Sequence, residues 1–523
     1  MIDFNQTVEF CPFDGTPLAT RLNLREPPFA RRSNCFKQLN YIRGYVAGLK
    51  CSTIVIERRY IDRDYMEDHS VFYSRNFFPY TNSCQRIHFF SADEARLRKE
   101  LNALARLAGE NGDAGERAYR HACEVFSERF YLGFCVIKPL HGCPVGRSVL
   151  RCYPKQGNGY LRLFPCTRNY DVHLFGIRLN VRGLAFQQQD AGVSACATTA
   201  LWSALHKIRS FEEIATATPA QITMLASRYT LPFGRTMPAE GLSLDQMCQA
   251  VQSLGLSPNV YRTDKYEYGR SIIYSAAVSG MAPILILKSF DEKYNHAVTL
   301  AGIKVAPSHS PSLLPGTTKA DTRAGDLLAA YVHDDRNGPY VRASLTDAGG
   351  KPLIKIGLGR KDEPDDEPWH LSHILIAMHS KIRMSFAGLQ DVSAHVLKRL
   401  QGFVKSYLNQ EVPVVLYETR IVRAFEYVER LLFSGSLNAD NAEDFYKTIP
   451  LTRYLGVVSL SSDALGSFDV LVDSTGTIRN LLCLGIVCKG KPTRHGRLAI
   501  EFLAREYECV PDKGTCRLIF LPK

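Results

Sequence analysis

The stretch that decides the reading is Phe186-Gln187-Gln188-Gln189-Asp190-Ala191-Gly192-Val193-Ser194-Ala195-Cys196-Ala197-Thr198-Thr199-Ala200-Leu201-Trp202-Ser203-Ala204-Leu205. Before it, Val172–Phe186 reads as extended chain, and Ala191-Gly192 supplies a turn. After Cys196 comes a run without Gly or Pro in which Leu201, Trp202 and Leu205 recur at helical spacing. Cys196 therefore opens a helix whose body is mostly apolar. A thiol attacks as its thiolate, and a helix N-terminus, carrying roughly half a positive charge, favours that form. The peptide N–H of Cys196 would point outward, free to donate to an oxyanion, and an upstream side-chain amide could supply a second donor. Gln189, seven residues before the cysteine, is the candidate.

Working outward, Gly280–Leu287 reads as a strand, followed by Lys293-Tyr294-Asn295-His296-Ala297-Val298-Thr299-Leu300-Ala301-Gly302-Ile303. His296 would stand at the start of a second, adjacent strand. Leu327–His333 reads as a third, running into Asp334-Asp335-Arg336-Asn337-Gly338-Pro339-Tyr340. An acid at that strand end can accept from an imidazole N–H, fix its tautomer and stabilise the charged ring. Strand alternation sends one of Asp334 and Asp335 to the histidine side; Asp334 is the choice, with Asp335 left open. His333 is a rival base in a poorer strand context. His206 lies along the Cys196 helix, roughly 15 Å away at the helical rise, too far to assist.

This order of Gln, Cys at a helix start, His-Ala-Val on a strand and Asp at a later strand end resembles the papain-like cysteine peptidase superfamily. The likeness is strongest to the bacterial double-glycine leader peptidases, with their His-x-Val-x-x-x-Gly strand, here His296-Ala297-Val298-Thr299-Leu300-Ala301-Gly302. It covers Gln187 to Pro339, under a third of the chain. The resemblance implies Cys196 as nucleophile, His296 as general base and acid, Asp334 as orienting acid and Gln189 as oxyanion donor. Two positions depart from the pattern. The glutamine slot usually lies one residue nearer the cysteine, where this chain has Asp190, so Gln189 and Asp190 stay open as the residue lining the oxyanion site. Ala197 follows the cysteine where leader peptidases often have Gly.

The 523 residues suggest three regions: 1–165, an N-terminal α/β region of unknown role; 166–384, a papain-like catalytic domain; and 385–523, a C-terminal α/β extension. The fold class expected is α/β (α+β). In the first region Ser52–Glu57 and Tyr131–Ile137 read as strands. Ser91-Ala92-Asp93-Glu94 reads as a capping box ahead of Leu97, Leu101, Leu104 and Leu107 at helical spacing. Arg58, Arg59, Arg63, Arg75 and Arg86 read as a solvated face rather than an anion site. Gly241–Met247 starts a helix with Ser243 as N-cap. The last region reads as a helix around 389–408, then Arg420–Leu432, then strands Tyr454–Leu460 and Phe468–Val472. Ala306–Thr318 and the acidic Asp362–Pro368 are loops.

Composition bounds the rest. Hydrophobic residues are 45% and charged residues 22%, values of an ordinary globular chain and not of a fibrous or disordered one. Lys+Arg number 64 against Asp+Glu 52, a net charge of +12 with no block of like charges, so a mildly basic surface is expected and nucleic acid is weakly supported. The 15 cysteines include no CxxC pair and suit reduced thiols in a cytoplasm. Cys11-Pro12-Phe13-Asp14-Gly15 is half a zinc knuckle without its other half, and Cys483 and Cys488 read as core. No run reaches the roughly 18 apolar residues of a membrane helix, and no secretory signal is expected. The function expected is a cysteine protease acting on peptide or isopeptide bonds, without metal or cofactor. Its partners would be a protein or peptide substrate and a regulatory partner on a flanking region, as in a regulated bacterial effector or defence protease. The alternative is a catalytically retired relative that serves as a sensor or adaptor for a protein or nucleic-acid partner.

Overall fold

The structure is a computed structural model and describes residues 8–24, 36–77, 79–109, 112–157, 159–190, 192, 195–212, 216–228, 241–307, 320–357, 368–407, 415–437, 443, 445, 447, 451–476, 483–489, 493–507 and 517–521. Most of the Ala306–Thr318 and Asp362–Pro368 loops expected from sequence lies outside these residues. The fold mixes helices with antiparallel sheets.

The N-terminal unit comprises β1 (Val8–Pro12), α1 (Leu18–Arg21), α2 (Lys37–Gly48), β2 (Thr53–Tyr60), α3 (Arg63–Val71), β3 (Cys84–Phe90), α4 (Glu94–Leu107), α5 (Asp113–Phe130), β4 (Tyr131–Ile137) and β5 (Val145–Leu150). Its strands form an antiparallel sheet in the order β1-β2-β3-β4-β5. β4 is apolar and buried along its whole length because helices cover both faces. Ile54 and Ile56 pack with Leu39, Ile42 and Val46 of α2. Val55, between them, faces the layer of Leu97, Leu101, Leu104 and Phe126 from α4 and α5. The α4 cap differs from expectation. Asp93, not Ser91, is the N-cap and accepts from the Arg96 N–H at 2.9 Å, while Ser91 Oγ turns to the carbonyls that end α5. The helix starts two residues later than the Ser91 box implies, so Asp93 serves the Arg96 N–H in the role that Ser91 was expected to play toward Glu94.

The central unit holds β6 (Gln156–Gly157), β7 (Tyr160–Leu163), β8 (Arg168–Leu174), β9 (Ile177–Gly183), α6 (Cys196–Glu212), α7 (Pro219–Ala226), α8 (Leu244–Ser253), β10 (Leu256–Arg262), α9 (Tyr266–Val278), β11 (Ile284–Lys288), β12 (Asn295–Val305), β13 (Ala320–Thr322), β14 (Leu327–Asp334), β15 (Gly338–Ala348), β16 (Lys351–Gly357) and β17 (Trp369–His379). β11 pairs with both β12 and β17, so β12, β14, β15, β16, β17 and β11 close into an antiparallel barrel. Closure removes sheet edges and leaves β12 buried along almost all its length. α6 lies against β12, and the Thr299 hydroxyl donates to the Ala200 carbonyl at 2.7 Å. α8 begins with the expected Ser243 cap, now a full capping box with Gln246.

The C-terminal unit has α10 (Phe386–Tyr407), β18 (Val415–Arg423), α11 (Ala424–Phe433), β19 (Tyr454–Ser462), β20 (Gly466–Asp473), β21 (Cys483–Lys489), α12 (Arg494–Glu506) and β22 (Arg517–Leu521). Its sheet runs β13-β18-β19-β20-β21-β22, parallel at both ends and antiparallel between. Cys483 and Cys488 are buried in it as expected.

Contacts cross the boundaries expected near residues 165 and 384. The β8–β9 hairpin packs on α5 and the N-terminal sheet, with Arg86 Nη2 donating to the His173 carbonyl at 2.7 Å. β13 belongs to the C-terminal sheet. α9 is tied to β18 by Tyr274 donating to Glu418 and by the paired hydroxyls of Ser275 and Thr419, both at 2.8 Å. Chain order alone sets boundaries by texture; strand pairing across a long loop escapes it.

Candidate active site

Cys196 opens α6 and is half-buried. The first N–H groups of a helix have no intrahelical acceptor, so the Cys196 peptide N–H is available to an anion beside the thiol. Below it the helix body is core: Leu201 and Trp202 are fully buried.

His296 begins β12 with only 2% of its surface exposed. Its Nε2 meets Asp334 Oδ1 at 3.0 Å across the β12–β14 pairing. The thiol of Cys196 also acts on the ring and favours its charged form. Nε2 is taken by Asp334, and Nδ1 makes no hydrogen bond with any described residue. A loose nucleophile–base contact is common before substrate arrives. Burial would push the imidazole down, but the Asp334 carboxylate, the Cys196 contact and Asp335 outweigh it and raise His296 from 6.5 to about 10. Its surroundings therefore favour the protonated ring.

Asp334 is built to stay ionised. Burial opposes its charge, yet the imidazolium, the Arg336 N–H at 3.0 Å and Asn337 Nδ2 at 2.7 Å hold it below the usual carboxylate range. Asp335 is the opposite case. Its nearer oxygen lies 3.6 Å from His296 Nε2, but neither oxygen finds a hydrogen-bond donor among the described residues. Burial leads in pushing it up to about 6, with the Asp334 charge adding to the rise against the pull of His296. The two acids therefore part company: Asp334 is the hydrogen-bonded partner and Asp335 a second, poorly solvated charge behind it.

The rivals lie elsewhere. Burial drives His333 down to about 3, and its Nδ1 meets the Ala185 carbonyl at 3.2 Å, so it is a neutral core ring. His206 stacks edge-on against Trp202 and meets Arg168.

The glutamine lead-in splits into separate roles. Gln188 spans the Val145 N–H and the Gly142 carbonyl, both at 3.3 Å. Asp190 is committed to a buried ion pair with Lys138 Nζ at 3.1 Å and accepts the Gly192 N–H at 3.0 Å. That removes Asp190 as an oxyanion donor, since an ionised acid only accepts. Gln189 is half-buried and makes no hydrogen bond with another described residue, so its amide is the one left free in the lead-in beside the buried Gln187 amide.

Several residues that sequence reading assigned no role shape the site. Asn337 donates to Asp334; its position three residues on, at the far side of a tight turn, was the available signal. Trp369 at the start of β17 stands with its ring centre 5.8 Å from that of His296, and Arg336 lies over Trp369 at 5.5 Å. Gln38 of α2 donates to the carbonyls of Asp335 and Arg336 at 3.0 Å each. Gly192 and Gly338 flank the site, and a Cβ on either would collide with an aromatic ring of the N-terminal unit, Phe72 at 2.5 Å and Tyr41 at 2.1 Å respectively. No local pattern announces such contacts.

His296, Asp334 and Asp335 also hold donor atoms within 4.8 Å of one another, a nitrogen and two oxygens that a divalent cation could use. Such an ion would compete for Nε2 with the aspartate bond already formed. The Arg58–Arg86 group is not an anion site. Arg58 pairs with Glu9, Arg86 with Glu57, and Arg63 donates to the Thr216 carbonyl. Cys11 is buried on β1 with its thiol on Glu9 at 3.1 Å, and burial pushes it up to about 11.

No protein-family model matches the chain, and no curated protein matches it.

Proposed function

We infer that the chain is a cysteine hydrolase of papain-like design, cleaving peptide or isopeptide bonds through Cys196, His296 and Asp334. The observation that carries this reading is a buried imidazole bonded to Asp334 at 3.0 Å on one side and addressed by the helix-opening Cys196 on the other. Support comes from a thiol, an imidazole and a carboxylate, distant in sequence, that act on one another in the interior.

The chemistry follows from the geometry. The Cys196 proton passes to His296 Nδ1, giving a thiolate–imidazolium pair that Asp334 stabilises. The thiolate attacks the scissile carbonyl carbon, and the oxyanion is met by the Cys196 N–H and the Gln189 amide. As the C–N bond breaks, His296 returns the proton to the leaving amine and a thioester remains. Water then gives a proton to His296 and attacks; the C–S bond breaks, releasing the acid and restoring the thiol. Trp369 over His296 limits water at the ring and so sustains the ion pair. The described cysteines are all free thiols, which supports a reducing compartment such as the cytoplasm. Among the described residues no helix is long and apolar enough to cross a membrane.

The test is labelling with a thiol electrophile near neutral pH, read by mass spectrometry, together with a proteome-wide comparison of new chain termini. Cys196 is expected to label ahead of the other thiols, and Cys196→Ala to lose both label and new termini. Equal labelling of Cys196 in wild type and His296→Ala would overturn the catalytic reading and favour the retired sensor.

A further inference from the structure

A second cavity, of about 640 Å³, lies where the three units meet, and none of the candidate catalytic residues lines it. Its walls bring together Arg151, Lys155, Arg162, Arg182, Arg420 and Arg430, drawn from the end of the N-terminal sheet, the barrel edge, the β9 strand, β18 and α11. One carboxylate, Glu418, joins them, and it is already engaged by Tyr274 and by Arg420 at 3.1 Å. Arg151 gives its guanidinium to the Ser127 carbonyl, Arg182 to the Thr167 hydroxyl, and Arg162 to two tyrosine hydroxyls and a carbonyl. These oxygens are neutral. Among the described residues no carboxylate pairs with Arg151, Lys155, Arg162, Arg182 or Arg430, and the nearby Glu426 is taken by Arg423.

Glu418 and Glu426 offset part of this charge, and the cations that remain without a carboxylate partner repel one another, which favours an added anion. The arginines elsewhere show the contrast. Arg147 is raised by its aspartate partners, whereas Arg430 is lowered, first by burial and then by Arg420 beside it. Guanidinium forks match phosphate oxygens, and the volume is that of a small-molecule site. Phe164, Leu163 and Val278 add an apolar wall to the same space.

We propose that this junction cavity binds a small phosphorylated ligand carrying two or more phosphate groups and an apolar or aromatic body, the chemistry of a nucleoside polyphosphate. Such a ligand would bridge the C-terminal unit to the barrel and the N-terminal unit. The proposal stands independently of the catalytic reading.

The test is calorimetric titration of the full chain with inorganic tripolyphosphate and with ATP at physiological salt. Both are expected to bind, and ATP more tightly because of the apolar wall. Arg182→Glu changes an exposed side chain and Arg430→Glu one that keeps part of its surface open while its guanidinium is partly covered, so the fold should persist, checked by an unchanged melting curve without ligand. Each should weaken binding about tenfold or more. Binding should be unchanged in Cys196→Ala. Absence of binding by either probe, or binding by both glutamate variants as tight as that of the unsubstituted chain, would overturn the proposal. So would a single-stranded oligonucleotide that binds far more tightly than ATP with a steep salt dependence, since that is a nucleic-acid track.

Discussion

At the scale of the residue, the two adjacent acids set the sharpest expectations. Asp334 accepts from His296, Arg336 and Asn337, while Asp335 accepts from no donor among the described residues. Asp334→Asn should keep the shape but lose the charge opposite the imidazolium, and turnover should fall about a thousandfold or more, measured as single-turnover rate. Asp335→Asn removes a buried charge without breaking a hydrogen bond, so turnover should fall far less. The pH dependence has a worked sign. His296 is raised from 6.5 to about 10 and Asp335 from 3.8 to about 6, so the folded chain holds both protons more tightly than the unfolded chain does. Stability from Asp335 is complete below its ordinary value and is lost as pH rises through about 6; that from His296 is complete below 6.5 and is lost through about 10. Melting temperature against pH should therefore lose its mildly acidic slope in Asp335→Asn and its alkaline slope in His296→Gln. Cys196, His296 and an acid at 334 or 335 were legible in the sequence because each sits at an element boundary. Which acid wins was not, since it depends on Asn337 and on the turn that brings Arg336 N–H back.

At the scale of the element, the lead-in to α6 is held by α3 and β4 rather than by its own sequence. Trp202 Nε1 donates to Asp64 and the Ala220 N–H to Asp68, both at 3.0 Å, so one face of α3 fastens α6 and α7 together. Lys138 and Asp190 are each 2% exposed. Truncating one partner strands the other charge in the interior, so Lys138→Ala should cost about 3–5 kcal/mol and be read in denaturant unfolding. Removing the α8 cap is a milder change: Ser243→Ala should cost about 1 kcal/mol. Substituting Gly192 by Ala would force the turn off the Phe72 ring and should slow Cys196 labelling more than it lowers stability. The helix at Cys196 and the strand at His296 follow from spacing and β-branched content. The misplaced cap at Ser91 shows the limit of that reading: two acceptors stood close to the helix start, and the register of the last turn chose Asp93.

At the scale of the whole molecule, the barrel does not stand free. Gln38 clasps the loop after Asp334, Phe186 pairs with Ser148 of β5, and β13 leaves the central unit to pair with β18. A fragment spanning 166–384 is therefore expected to expose the apolar faces of the β8–β9 hairpin and α9 and to unfold without cooperativity, with no selective labelling of Cys196. A fragment that melts cooperatively and labels like the full chain would show that the flanking units are accessories.

Taken alone, the sequence determined the local grammar: where chains run extended, where helices open, and which thiol, imidazole and carboxylates sit at the ends of those elements. Short-range sterics and spacing decide such features. The tertiary structure decided the closure of the barrel, the choice of Asp334, the bracing of the site by the N-terminal unit, and the gathering of cations between residues 151 and 430 into one cavity. Those depend on pairings between distant segments and on charges that act on one another only once water has been removed from between them.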